Sequence, residues 1–259
     1  MKIDWSPLDT EFALWRQAGL VLPVWWRDDD AITDTPALQR LAALSARYDF
    51  PVHIAIIPAN AQTALADAIK NNARFVAVVH GWAHENHAPP GDKKSEFGSD
   101  RPVELRLKDA GRAMAALAHV LGRPPVPVFV PPWNRIAPDM FTGLADLGYA
   151  ALSTFTPRVS EYAAPGLRFI NTHLDPIDWR TTRSLADPNG LVAQIARQLA
   201  DRRQGQADND EPYGILTHHL VHNDAIWGFA EELIARFVAG PTRLWVSDEL
   251  IQQTEHTRK

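Results

Sequence analysis

No cysteine occurs in the 259 residues. That absence excludes thiol nucleophiles, disulfides and metal sites built on thiolates. Long apolar runs are also missing. No stretch approaches the roughly 20 apolar residues that a membrane-spanning helix needs. The first residues, MKIDWSPLDTEFALWRQAGL, lack the basic segment and unbroken apolar stretch of a secretory signal. The expectation is a soluble, cytoplasmic protein. Charge is not segregated either: 26 basic and 31 acidic residues are mixed along the chain, with a net charge of −5. This argues against a nucleic-acid-binding surface as the main function. The sequence has no internal repeat, no low-complexity segment, and no GxSxG, GxGxxG, P-loop or HExxH pattern. His84-Glu85-Asn86-His87 comes nearest to the last and has the wrong spacing.

What is present suits a sizeable core. Apolar residues make up 46% of the chain, and nine are tryptophan. Short apolar runs alternate with segments of helical spacing. Strands are predicted at Val21–Trp26, Val52–Ile57, Phe75–Val79, Val126–Val130, Ala150–Phe155, Arg168–Thr172 and Tyr213–Thr217, with an eighth at Leu244–Val246 before a short polar tail. Helices are predicted between them, including Pro36–Tyr48 with Thr35 as N-cap, and Val103–Leu121 stopped by Gly122. Strand followed by helix, seven or eight times, predicts an α/β fold: a distorted (β/α) barrel of seven or eight parallel strands. No composition break divides the chain, so residues 1–259 are expected to form one domain. Ala88–Pro102, rich in Gly, Pro and charge, reads as an insertion loop over the strand ends, either a lid or a docking segment.

The chemistry-bearing residues fall just after predicted strands, where sites assemble in parallel α/β folds. His80 and His84 stand four apart after the third strand, a spacing that a helical turn would bring to one face. Neutral imidazole is the commonest protein ligand for a borderline divalent ion, and a carboxylate would complete a three-ligand set. Asp28, Asp29 and Asp30 end the first strand, and three adjacent acids repel one another unless a cation offsets them. Pro131-Pro132-Trp133-Asn134-Arg135 follows the fourth strand, Asp175-Pro176-Ile177-Asp178-Trp179 the sixth, and His218-His219 the seventh. His53, inside the second strand, reads as a satisfied wall residue.

Taken in order, these segments resemble the polysaccharide deacetylases, the NodB homology or carbohydrate esterase 4 group. The resemblance runs from about Val21 to His219. Arg27-Asp28-Asp29-Asp30 resembles the first family motif, with Asp30 in place of its Gly. His80-Gly81-Trp82-Ala83-His84 resembles the second, with Gly81 in place of Ser or Thr. Val130-Pro131-Pro132-Trp133-Asn134 resembles the third, with Val130 in place of its Arg and Asn134 in place of its Gly. Asp175 to Trp179 matches the fourth, Asp-x-x-Asp-Trp, and Leu216-Thr217-His218 the fifth, Leu-x-His.

The resemblance implies a metal-dependent hydrolase that removes acetyl groups from an N-acetylated sugar or glycan. It implies a divalent ion, Zn²⁺ first, with Co²⁺, Ni²⁺ or Mn²⁺ open, held by Asp29, His80 and His84. Asp28 would be the general base and His218 the general acid. Trp133, Asn134 and Trp179 would contact substrate. Asp175, Arg135, Asp30 and His219 would support them. Register favours Asp29 as the ligand. The alternative puts Asp30 on the ion and makes Asp29 the base; His219 could likewise replace His218. Without an arginine at Val130, the charge beside the base falls to Arg27, Arg135 or Arg180. Two other functions stay open: hydrolysis of another, cyclic amide on the same barrel, and a non-catalytic barrel that binds a glycan or partner. A small-molecule or glycan partner is expected, with no nucleic acid and no membrane span.

Overall fold

A computed structural model describes residues 2–247. The expected polar tail lies outside them. The chain runs α1 (Ser6–Gln17), β1 (Leu22–Ala31), α2 (Pro36–Tyr48), β2 (Val52–Ile56), α3 (Thr63–Lys70), β3 (Phe75–His80), α4 (Val103–Leu121), β4 (Val128–Val130), α5 (Phe141–Asp146), β5 (Ala151–Leu152), β6 (Tyr162–Ala164), β7 (Leu167–Phe169), α6 (Pro188–Arg203), β8 (Tyr213–Thr217), α7 (Asp224–Ala239) and β9 (Thr242–Leu244). The strands form one curled sheet in the order β6-β7-β5-β4-β3-β2-β1-β8, with β9 also on β1.

This is the expected distorted barrel, with two corrections. Among the described residues the sheet has nine strands, because Pro165 and Gly166 turn the chain into a β6–β7 hairpin, the one antiparallel pair of strands there. The last strand is Thr242–Leu244, two residues earlier than predicted. Closure is irregular. After β7 the chain keeps bonding to the residues after β5, through Thr172 N–H to Thr154 O, and then to β8, through Leu216 N–H to Leu174 O. One stretch of mostly non-strand backbone thereby stands in for a barrel stave.

Alternation along β1 divides the core. Leu22, Val24 and Trp26 pack under the helices. Trp25 points inward, beside Ala55, Val78, Val128, Val130, Ala151, Ile170 and Trp245. The helices dock where their ends are fixed. Thr35 Oγ1 accepts the Leu38 N–H at 3.0 Å and Pro36 follows it, while Asp187 and Asn223 cap α6 and α7 in the same way. Gly122, at φ +66°, ends α4. His53 is the wall residue expected of it. Its Nδ1 donates to Trp26 O (3.1 Å) and its Nε2 accepts from Ser247 N–H (3.1 Å). Among the described residues no helix is long and apolar enough to cross a membrane.

Candidate metal centre and active site

The site is organised by an irregularity in β1. Against β2, Asp28 pairs with Ile54 and Ala31 with Ile56, so three steps on one strand oppose two on the other. This is a β-bulge, and Asp30 within it has φ +75°. The bulge breaks the two-residue period and aims the three acids in three directions. Asp28 follows Trp26 to the helix side, where it is fully buried. Asp29 points inward with Arg27. Asp30 swings toward the end of β3.

The group that could hold an ion is therefore Asp30, His80 and His84, each offering one atom, all within 4.8 Å of one another. Asp29, favoured by a regular register, is not in it. Asp30 Oδ1 lies 3.1 Å from His80 Nε2 and 3.3 Å from His84 Nε2. His80 Nδ1 donates to Val130 O at 3.0 Å, which fixes the ring with Nε2 toward the carboxylate. The residues thus fit a divalent cation: two imidazoles and a carboxylate, half-open on one side, with His80 oriented from behind. Burial disfavours charge on Asp30, but the His80 hydrogen bond and the charges of His80, His218 and His84 hold its carboxyl well below the ordinary range. Burial opposes charge on His80 too, yet Asp29 and Asp30 raise its pKa above the usual value. Burial, and then the charge of His80, lower that of His84.

Asp29 is held by Arg27, two residues back on the same inward face. Arg27 Nε and Nη2 donate to its two oxygens at 2.8 and 2.9 Å. The guanidinium is fully buried and makes further bonds to Ser153 O and Oγ, Thr154 O and Asn134 Oδ1. Val130, where the resemblance expects arginine, lies in the inward-facing apolar cluster. Of the three arginines that could supply that charge, Arg27 is the one paired with an acid of the triplet, Asp29. Arg135 points away and donates to Lys94 O in the insertion loop.

Asp28 and His219 form a separate pair. Asp28 accepts from His219 Nδ1 (2.5 Å) and N–H (3.1 Å) and from Thr217 Oγ1 (2.6 Å). Neither side chain is exposed. Burial works against the Asp28 charge, but His219 and Thr217 outweigh it and lower its pKa; Asp28 in turn raises that of His219 against the same burial. The Asp28 carboxylate, expected as a reacting group, is thus enclosed on the helix side with its oxygens bonded to His219 and Thr217.

His218 stands across the mouth. Its Nδ1 is 4.0 Å from Asp175 Oδ2, and its ring meets Trp179 edge-on at 4.8 Å. Asp175 Oδ2 accepts the Trp179 indole N–H at 2.7 Å, and burial raises the Asp175 pKa. His222 Nε2 accepts the His218 backbone N–H. His173 lies elsewhere, between Gly214 N–H and Glu211. Trp133 and Asn134 both adopt φ +57°, and the His84 ring lies 4.3 Å from that of Trp133. Trp179 is 41% exposed, which leaves it available at the rim.

Sequence reasoning missed the Asp28–His219 pair, the Ser153 and Thr154 contacts to Arg27, and Glu96, which bonds the backbone of the histidine turn. The apolar–polar alternation of β1 held a signal for the first, since it sets Asp28 on the side of Trp26.

No protein-family model matches this sequence, and no curated protein matches it. Solved structures do. A Mycobacterium smegmatis protein assigned to the polysaccharide deacetylases superposes with a TM-score of 0.61 at 16% identity, covering 84% of this chain and 78% of that one. The peptidoglycan deacetylase PdaC of Bacillus subtilis does so with a TM-score of 0.53 at 15% identity, covering 92% of this chain and 95% of that one. The fold is that of the NodB-like deacetylases. At this identity the likeness carries the fold alone.

Proposed function

We propose that the protein is a metal-dependent hydrolase that removes an acetyl group from an N-acetylated sugar or glycan. The observation that carries this reading is the convergence of Asp30, His80 and His84 within 4.8 Å. It is supported by a paired carboxylate on one side, Asp29, and an imidazole on the other, His218.

Hydrolysis of an acetamide needs an activated water, a stabilised oxyanion and a proton for the departing amine. A divalent ion, Zn²⁺ first, held by Asp30, His80 and His84 supplies a Lewis acid that polarises a carbonyl and lowers the pKa of water to about 7. Asp29 is the general base. Each of its oxygens takes one bond from Arg27 and keeps a second lone pair for the water proton. Arg27 holds that carboxylate in place and joins it through Asn134 to the turn carrying Trp133. The Trp133 backbone N–H serves the oxyanion. His218 gives its proton to the leaving nitrogen, and Asp175 beside Nδ1 orients the ring. Trp179, tethered to Asp175, walls the acetyl methyl. The products are acetate and a free amine, with the water divided between them.

The test is acetate release from N-acetylglucosamine oligosaccharides by zinc-loaded protein, with Asp29→Asn as control. Release by the wild type, lowered by roughly 10²–10⁴-fold in the variant, is the expected result. A zinc-loaded wild type that releases no acetate from any acetylated sugar, N- or O-linked, overturns the proposal.

A further inference from the structure

The insertion loop is not loose along its whole length. Its second half is clamped to the body. Phe97 is fully buried in the main core, bridges Ile136, and accepts the Ala137 N–H. Ser95 bonds to Asn86 Oδ1 and to His87 N–H, and its hydroxyl donates to Arg135 O. Between Ser95 and Phe97 stands Glu96, 1% exposed. Its carboxylate accepts two hydrogen bonds, Oε1 from Ala83 N–H at 2.7 Å and Oε2 from Trp82 N–H at 3.1 Å. Both donors lie between His80 and His84.

That turn does not hold itself. Gly81 has φ +55° and His84 has φ +58°, the left-handed region that costs a residue with a side chain. A Cβ on Gly81 would lie 2.4 Å from Glu96 Oε2 and 2.5 Å from Pro132 Cδ. So the glycine that replaces Ser or Thr here is required: it lets the Glu96 carboxylate and the Pro132 ring close on the backbone. A buried anion is also well placed beside N–H groups, where charge-assisted bonds are the strong ones.

We infer that Glu96 is a positioning residue for the metal centre. It fixes the Trp82 and Ala83 peptides from outside and thereby sets the backbone that aims His84 at Asp30. The inference rests on the proposed metal role of His84, but the brace itself exists without any ion. A glutamine cannot replace it, because the amide has one acceptor and its NH₂ would face an N–H.

Two measurements on Glu96→Gln and the shorter Glu96→Asp, in full-length protein, decide the matter. Hydrogen exchange of the Trp82 and Ala83 amides in metal-free protein should accelerate by roughly 10–100-fold in Glu96→Gln, as expected for losing bonds to a charged acceptor. Zinc affinity, measured by calorimetry, should weaken by about 10–100-fold, the usual effect of removing a group that orients a ligand. Glu96→Asp, able to reach one N–H, should fall between Glu96→Gln and wild type. Unchanged exchange and a zinc Kd within twofold in both variants overturn the inference, whatever happens to the Tm. A wild type that binds no zinc removes the metal role but leaves the exchange experiment to decide whether Glu96 braces the turn.

Discussion

His53 and His80 are buried histidines on neighbouring strands, and behind the ring they are alike. Each donates its Nδ1 proton to a backbone carbonyl, Trp26 O for one and Val130 O for the other. They differ in front. His53 Nε2 accepts an N–H from Ser247, so every polar atom of the ring is satisfied by the protein. His80 Nε2 faces the Asp30 carboxylate beside a second imidazole. The same side chain is a structural wall in the first case and part of a group that could hold an ion in the second. Asp28 and Asp30 repeat the contrast two residues apart on one strand. One is closed in by donors, and the other faces two imidazoles at a half-open rim. Function here is read from what each group still lacks, more than from its identity.

The contrast should break most visibly when each histidine is changed in turn. His80→Gln should lower acetate release by at least ~10⁴-fold, because the ion's several kcal/mol of charge stabilisation goes with it. His53→Gln should leave zinc affinity and the rate per folded molecule unchanged and lower only the Tm. Asp29→Asn should reduce kcat by roughly 10²–10⁴-fold, the usual worth of a general base, with zinc Kd within a few-fold.

A pH series sharpens the wall side. Burial pushes the His53 pKa down to about 4 from an ordinary 6.5. The unfolded chain therefore takes up that proton first as pH falls. The contribution is complete above about pH 6.5 and is lost on descending toward 4, by roughly 3 kcal/mol in all. His53→Gln should flatten that part of the stability profile, as measured by denaturant titration. The smallest effect should be that of Asp28→Asn. Loss of the buried pair's charge should cost about 1–3 kcal/mol, a Tm drop of roughly 2–12 °C. The rate of acetate release per folded molecule should stay within about threefold. A loss comparable to that of Asp29→Asn would show Asp28 to be the reacting group after all.

The fold was legible because it repeats. Apolar runs such as Phe75–Val79, and helix signals such as Thr35-Pro36, report locally what the backbone does. The positions of the two histidines, of His218 and of Trp179 followed from the same strand ends. The choice among Asp28, Asp29 and Asp30 was not legible in that way. A period of two, read without the bulge, misaims the third acid, and no residue in Arg27–Ala31 announces a positive φ at Asp30. Arg27 was one of three candidates for the missing charge. Its selection depends on Ser153 and Thr154, more than a hundred residues away, which only tertiary structure brings to its guanidinium. Glu96 lay within a segment whose Gly, Pro and charge content describes any exposed loop, and its burial comes from the neighbouring Phe97 anchoring in the core.

Zinc titration of metal-free wild type, Asp29→Asn and Asp30→Asn, by calorimetry at neutral pH, tests the assignment of the acids most directly. The wild type and Asp29→Asn should each bind one ion per chain with similar affinity, and Asp30→Asn should bind none in the same range. Retention of tight zinc by Asp30→Asn together with its loss in Asp29→Asn would contradict the account at its centre.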